Sequence, residues 1–297
     1  MISVLIPVYN FDINRFVTDI HKQLVRENIP FEIILLDDGS ETIYKTKNKH
    51  LNRLSHVVYE ELPANVGWSA IRNLLAEKAK YENLLFADCD SEVNDDFFIK
   101  NYLNYLNTRQ VVFGGRNYHK NPPEKSRYLR WLHGTRRETI PAKIRNKSPY
   151  TTFMSNNFLI PKEVMHAVQF PENILRGYGH DDTLFAMELK KNHIPIFHID
   201  NPLTHIGLET NEEYLHKTES ALRNLFQLIR LGKLEPEFKV YKAAEKLEKL
   251  KLSKRVGKYF LKRQKKLKSK LIHDPNLLRF DMYKLGYLTA YMHGLTG

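Results

Sequence analysis

The chain has 297 residues, 42% hydrophobic and 11% aromatic, which is ample for a full core and excludes a protein disordered throughout. Its single cysteine, Cys89, excludes an intrachain disulfide and a four-cysteine zinc site. The net charge is +12, but residues 236–272 hold 14 Lys or Arg against 3 Glu, so +11 belongs to that segment and the rest is nearly neutral.

The first run, Ile2-Ser3-Val4-Leu5-Ile6, has no basic region before it and is cut by Pro7. It reads as a strand over 3–8, not as a signal peptide. Phe16, Val17, Ile20 and Leu24 recur at helical spacing over 14–27. A second buried strand over 32–36 ends in the turn cluster Asp37-Asp38-Gly39-Ser40, and a third covers 57–62. Ser69 suits the N-cap of a helix running to residue 80, with Ile71, Leu74, Leu75 and Ala79 inward. A fourth strand over 83–87 ends at Asp88. Strands alternating with helices predict a mostly parallel α/β sheet covered on both faces. Ligands in such sheets bind outside the carboxyl ends of the strands. Tyr9-Asn10, Asp37-Asp38 and Asp88–Asp90 then gather on one edge of one sheet.

The middle is less regular. Strands are expected over 111–115, 158–160 and 196–199, and a helix over 183–192. Residues 117–149 are polar and rich in Arg, Lys and Pro, which predicts a long loop with one helix near Tyr128–Trp131. From Glu213 the chain reads as helical, broken near 234–236 and at Asp274-Pro275. No stretch approaches the roughly 18 uncharged apolar residues of a membrane-spanning helix. The expected location is therefore the cytoplasm.

Two carboxylates one residue apart at a strand end, Asp88 and Asp90, can offer hard oxygen ligands to Mg²⁺ or Mn²⁺, which favour carboxylates together with substrate phosphates. The alternative is a solvated turn. Asp37-Asp38 can accept hydrogen bonds from a uracil ring N–H or ribose hydroxyls. Equally, it can form a type I turn with Gly39 at positive φ. No G-x-G-x-x-G follows the first strand and no G-x-x-x-x-G-K-[ST] occurs, which disfavours dehydrogenases and P-loop ATPases.

Four segments, ISVLIPVYN (2–10), LLDDGS (35–40), NVGWSAIRN (65–73) and FADCDS (86–91), stand in the order and approximate spacing of the family 2 glycosyltransferases. The resemblance covers roughly residues 1–210. It implies the GT-A fold, inverting transfer and a nucleotide-sugar donor, with UDP as the expected carrier. It implies donor binding by Pro7, Tyr9, Asn10, Asp37, Asp38, Asn65, Arg72, Asp88 and Cys89. Asp90 is the implied direct metal ligand for Mn²⁺ or Mg²⁺, with Asp88 on ribose or metal-bound water; His205 resembles a His that some members place near the metal or diphosphate, and a purely structural role for it stands equally open.

The stretch Gly177-Tyr178-Gly179-His180-Asp181-Asp182 resembles the family's Gly-x-Glu-Asp segment. Aligned with Asp181 in the Glu place, Asp182 is the catalytic base. Aligned with His180 there, Asp181 is. The first is preferred, because Thr183-Leu184-Phe185 then continues the helix as the family does. Two carboxylates at a helix N-terminus also suit the helix dipole without any catalytic role. Asn156 and Asn157 suit an acceptor's sugar hydroxyls or a plain turn. Trp68 and Trp131 suit stacking on a sugar or ordinary packing, and Trp131 is assigned to the acceptor side.

The tail carries a stripe, Leu252, Val256, Phe260, Leu267 and Leu271, with Lys and Arg on its other faces and Arg263 interrupting it. Two readings stand: attachment to an anionic membrane face, which suits a lipid-linked acceptor, or packing on the protein itself. Nucleic acid is not an expected partner. The expected division is a catalytic domain over 1–212, with a donor half to about 110 and an acceptor half beyond, and a basic helical extension over 213–297. The expected function is transfer of a sugar to a hydroxyl of a glycan or lipid-linked glycan, in surface polysaccharide synthesis at the inner face of the membrane. The competing readings are a nucleotidyltransferase and a non-catalytic anionic-surface binder on the same scaffold.

Overall fold

The computed structural model describes residues 1–172, 174 and 177–296. The chain forms two compact units that interleave in sequence. One holds Met1–His119, Glu138–Glu172 and Asp181–Gly207, the other Lys120–Arg137, Asn173–His180 and Leu208–Gly297.

The strands of the first unit are β1 (Ile2–Val8), β2 (Phe31–Asp37), β3 (Val57–Glu61), β4 (Asn83–Ala87), β5 (Ser91–Glu92), β6 (Val111–Phe113), β7 (Arg116–Asn117), β8 (Asn157–Pro161), β9 (Ile196–His198) and β10 (Leu203–His205). Its helices are α1 (Asn14–Glu27), α2 (Thr42–Asn48), α3 (Trp68–Lys78) and α4 (Phe98–Leu103), then α6 (Ala142–Arg145), α7 (Lys162–Ala167) and α8 (Asp181–Lys191) beyond the second unit's α5 (Tyr128–Arg137). Among the described residues the main sheet has the order β3-β2-β1-β4-β8-β6-β9. Pairings β3·β2, β2·β1, β1·β4 and β6·β9 are parallel; only β8 runs against its neighbours β4 and β6. Strands β5, β10 and β7 form a separate three-stranded sheet in that order.

Alternation along β1 explains the layers. Ile2, Val4, Ile6 and Val8 pack on one face with Phe16, Val17, Ile20 and Leu24 of α1 and Phe98 and Tyr102 of α4. Leu5 points to the other face, with Ile71 and Leu75 of α3 and Phe185 of α8. That face is aromatic: Phe86 stacks on Phe158 with centroids 4.9 Å apart, and Phe170 on Phe185 at 4.0 Å. Both faces being covered, the free edge carrying the ends of β1, β2 and β4 is where polar groups collect.

The helix expected to be capped by Ser69 begins two residues earlier, at Trp68, with Gly67 as N-cap at φ 91°. Ser69 is buried in the first turn. The region expected as a long loop is more ordered than its composition suggests, since it holds α5 and α6.

The second unit is built on α5 with α9 (Asn211–Arg230), α10 (Lys239–Lys249), α11 (Ser253–His273) and α12 (Leu277–Met292). Thr210 and Glu213 form a reciprocal capping box that starts α9. The breaks expected near 234–236 and at Asp274-Pro275 are found, over 231–238 and 274–276, and Asn276 caps α12 by accepting from the Leu278 and Arg279 backbone N–H. A further break at Lys251, at φ 57°, separates α10 from α11. Most of the apolar stripe of α11 is covered: Phe260 and Leu271 are buried, Val256 and Leu267 are half-buried and only Leu252 at its start is exposed, and Phe260 meets Tyr283 of α12 edge-on at 5.2 Å. Of the two readings of this stripe, packing on the protein itself is the one these contacts support. It packs inside its own helical unit. Among the described residues no helix is long and apolar enough to cross a membrane.

Glycines set the α11–α12 distance. A Cβ on Gly257 would stand 2.9 Å from the Ala290 backbone, and one on Gly286 would stand 2.4 Å from the Phe260 ring. Gly257→Leu should therefore force the helices apart and lower unfolding free energy by about 1–3 kcal/mol, the usual cost of overpacking. Urea denaturation checks this; unchanged stability would mean that the crossing is looser than its contacts indicate.

Candidate active site

The carboxyl edge of the sheet is assembled by the loops that follow β1, β2 and β4. Asn10, at φ 48°, receives its neighbour loop on both sides: its N–H donates to Ser40 Oγ, and its Oδ1 accepts from Glu41 N–H. Asp37 is 0% exposed. Its carboxylate accepts from Ser40 N–H at 2.7 Å and from Tyr59 OH at 2.7 Å. It is thus the turn brace of the alternative reading, with Gly39 at φ 73°, and the expected direct donor contact by Asp37 does not fit this burial. Asp38 accepts from the Val66 and Gly67 N–H groups at 2.6 and 3.1 Å. Burial pushes its pKa up against these two bonds. Asn65 donates to Asp38 carbonyl oxygen. Pro7 is buried in β1, while Tyr9 and Trp68 stand 48% exposed at the rim.

At the end of β4, Asp88 is flanked by two arginines. Arg72 Nη2 donates to its Oδ1 at 2.6 Å, and Arg116 Nη2 lies 3.6 Å from its Oδ2. Arg72 is 4% exposed, lying beside the rings of Trp68 and Phe170. Burial raises the Asp88 pKa, with Arg72 and Arg116 opposing it and Asp90 and Asp182 reinforcing it. Arg116 continues to Glu138 at 3.7 Å, and Tyr118 OH donates to the same carboxylate. Cys89 packs against the α1 face of the core, and burial pushes its thiol up, away from thiolate chemistry.

Asp90 meets His205 of β10. Their Oδ2 and Nδ1 atoms are 3.4 Å apart. His205 is 6% exposed, and neither ring nitrogen makes a hydrogen bond among the described residues. The Ile206 and Gly207 N–H groups donate to the Asp90 carbonyl, and a Cβ on Gly207 would stand 2.7 Å from Asp90 Oδ2. No set of three or more His, Cys, Asp or Glu side chains fit to hold a metal is gathered among the described residues. Asp90 and His205 nevertheless suit an ion whose remaining ligands come from substrate phosphate, because a buried imidazole without a hydrogen bond is a costly group that a ligand would satisfy.

Asp181 and Asp182 open α8 and diverge. Asp181 Oδ1 accepts from Ser69 Oγ at 3.2 Å; Asp182 Oδ1 accepts from Ser155 Oγ at 2.6 Å. Burial and the Asp182 charge push the Asp181 pKa up. Because Asp182 also bears on Asp88, the two carboxylates of α8 and the β4 end belong to one electrostatic cluster. Asn156 joins it through its carbonyl, which accepts from Asp88 N–H at 3.0 Å, while its buried Oδ1 has no partner among the described residues. Asn157 differs. It is fully buried in β8, accepts from Tyr102 OH and donates to the Gly115 and Asn201 carbonyls. The expected acceptor contact by Asn157 is corrected to a brace between strands. Trp131 lies on α5 of the second unit, tilted against Tyr128.

Sequence reasoning missed Ser69 and Ser155 as partners of the two aspartates, and Arg116 as a second cation beside Asp88. Arg116 had a signal: it follows Gly114-Gly115 directly after β6, which shares the direction of β4. The serines had none, since their partners lie 112 and 27 residues away.

Residues 3–167, more than half of the chain, match the family described as Glycosyl transferase family 2. An uncharacterized glycosyltransferase of Rickettsia conorii is 29% identical over 200 residues, covering 65% of this chain and 31% of that protein. One of Rickettsia felis is 28% identical with the same coverage, so the chain spans about a third of the length of these relatives. Among solved structures, a mannosyltransferase from Pyrobaculum calidifontis in complex with GDP-Man and Mn²⁺ aligns at TM-score 0.59 and 15% identity, covering 99% of this chain and 86% of that one. Glucosyl-3-phosphoglycerate synthase from Mycobacterium tuberculosis, with Mg²⁺ and UDP, aligns at 0.53 and 14% identity, covering 79% and 80%. At such identities the likeness concerns the fold, which is GT-A with a helical C-terminal region. On the family match, the chain is a member of glycosyl transferase family 2.

Proposed function

We propose that the protein is an inverting glycosyltransferase that moves a sugar from a nucleoside-diphosphate sugar, with UDP as carrier, to a hydroxyl of a glycan or lipid-linked glycan in surface polysaccharide synthesis. The observation that carries this reading is the single cluster of Asp88, Asp90, Asp181 and Asp182 with Arg72, Arg116 and His205 at the carboxyl edge of a GT-A sheet. The divalent ions named with the two structural relatives support a metal here as well. Asp90 and His205 would hold Mn²⁺ or Mg²⁺, which when bound offsets the negative charge of the departing diphosphate.

Asp182 is the proposed base. Ser155 Oγ fixes its Oδ1, so the second oxygen can be aimed at the acceptor. It takes the proton of the acceptor hydroxyl as that oxygen bonds to the anomeric carbon. The bond from that carbon to the diphosphate oxygen breaks on the opposite face, and its electron pair leaves with the nucleotide. Asp181, turned to Ser69 of α3, is a brace in this scheme. Arg72 positions Asp88, and Tyr9 and Trp68 offer exposed rings at the rim for the donor.

Three variants test this. Asp182→Asn should bind donor normally and lose transfer by about 10²–10⁴-fold. Full transfer by that variant excludes Asp182 as the base, and a dead Asp181→Asn beside it assigns the role to the neighbour. Asp90→Ala should fold normally yet lose the Mn²⁺-dependent rise in melting temperature given by nucleotide-sugar, which mass action otherwise produces. Persistence of that rise would exclude Asp90 as the ligand.

Asp181 also has a signature in stability. Its pKa is raised in the folded state, so its favourable contribution is complete below the unfolded value of about 3.9 and is lost as pH rises through the folded value. At neutral pH the ionised group costs stability. Asp181→Asn keeps an acceptor for Ser69 and should melt a few degrees higher than the parent at pH 7, with the gap closing as pH approaches about 4. A variant that melts lower at pH 7 would show that the ionised form is favoured.

A further inference from the structure

Helix α11 carries nine Lys or Arg and no Asp or Glu across Ser253–His273. Eight of the nine are exposed, and among the described residues none of these eight forms an ion pair. Lys254, Lys258, Lys262, Lys266 and Lys270 stand in an unbroken i, i+4 row. Like charges at that spacing destabilise a helix. Lys254 and Arg255 also fall in the first turn, where the helix dipole disfavours cations. Local energetics favour Lys270, in the last turn, and leave the rest of the row unexplained. The pattern stands despite a cost, which an anionic partner would remove.

The geometry of the row is also informative. At about 100° per residue, Lys262 falls opposite Ser253 and Leu271, which are both fully buried. The lysine row crosses the outward face of α11 along about 24 Å, from a rise of about 1.5 Å per residue. Tyr259, 58% exposed, shares that face with Arg263 stacked 4.7 Å from its ring centroid, and Leu250 and Leu252 are exposed just before the helix. An exposed amphipathic ring and leucines among cations fit a headgroup layer, where aromatic rings lie at the interface and Lys or Arg reach anionic groups.

We propose that the outward face of α11 docks on the surface of an anionic lipid bilayer, holding the protein there by charge rather than by insertion of an apolar helix face. The apolar stripe of α11 faces α12, so adhesion comes from the lysine row with Tyr259 at its margin. Each engaged Lys or Arg contributes about fivefold to the partition constant. Three lysines in the row are thus worth about a hundredfold. This assignment does not depend on the transferase reading, because its readout is binding alone.

The test is flotation of the full chain with vesicles of pure phosphatidylcholine or with about one third phosphatidylserine, at about 0.05 M and 0.5 M salt. Binding should require phosphatidylserine and fall steeply with salt. Lys258→Glu/Lys262→Glu/Lys266→Glu should lose binding by about a hundredfold or more. That variant places acids in i, i+4 register with Lys254 and Lys270, so the helix is not put at risk, and its circular dichroism melting curve checks folding. A control with the same change in net charge elsewhere, Lys49→Glu/Lys143→Glu/Lys147→Glu, should bind within about twofold of the parent. Equal losses in both triple variants would reduce the effect to net charge and overturn the assignment to α11. Absence of phosphatidylserine-dependent binding would overturn it as well. Tighter binding to a short DNA duplex than to vesicles at equal salt would assign the face to nucleic acid instead.

Discussion

A carboxylate and a guanidinium buried side by side must remain together, since removing one partner of such a pair costs about 3–5 kcal/mol by stranding the other charge. Arg72 and Asp88 are in that position. One comes from the first turn and a half of α3, the other from the end of β4, so their pairing locks the helix to the strand. The loop that leads into α3 is held independently, by the two backbone N–H groups that Val66 and Gly67 give to Asp38. The loop after β1 is held to the one after β2 through Asn10 and Ser40. Three strand ends that sequence separates by tens of residues are thus fixed against one another before any ligand arrives. Such preorganisation is what lets polar groups act in a site without reorganising at the moment of reaction.

The same edge is overfilled with negative charge. Asp88, Asp90, Asp181 and Asp182 share it with two arginines; burial pushes both Asp88 and Asp181 towards the protonated state, helped at Asp181 by the Asp182 charge and opposed at Asp88 by Arg72 and Arg116. A site evolved only for stability would have fewer carboxylates or more cations. The imbalance, with the imidazole of His205 buried beside Asp90, is compatible with the divalent cation proposed for this site. Cys89, between two aspartates, is kept neutral by burial, so it adds no further charge.

Legibility in the sequence followed element length and partner distance. The long apolar strands β1, β2 and β4 and the helix α1 were readable because their periodicity spans enough residues to exceed chance, and α1 has the bounds its pattern predicts. Strands β5, β7 and β10 have only two or three residues each, too few to carry a period. Yet β10 is what brings His205 beside Asp90. Asn157 illustrates a different limit. Asparagine is compatible with a sugar pocket or an internal brace, and only its register opposite Ala87 of a central strand shows that it faces inward. Asp181 and Asp182 are chemically identical in sequence. What distinguishes them is the 100° turn between successive helical residues, which sends one to Ser69 and the other to Ser155.

The tail shows how an amphipathic pattern can be legible in a sequence while the partner of its apolar face is not. The stripe on α11 exists, but what covers it is α12, a helix with apolar residues on most of its circumference, which is the mark of a helix buried by its neighbours. Gly257 and Gly286 allow the two backbones to approach, and Phe260 fills the space left by Gly286. Once the stripe is satisfied in this way, hydrophobic burial no longer accounts for anything on the outer side of α11. Lysines on ordinary helices are commonly interspersed with acids, which shorten the range of their field and stabilise the helix. Here the acids are absent from a whole helix, and the charge is concentrated where it cannot aid folding. The two halves of α11 therefore answer to different constraints: the inner half to packing density, the outer half to a field that extends beyond the protein.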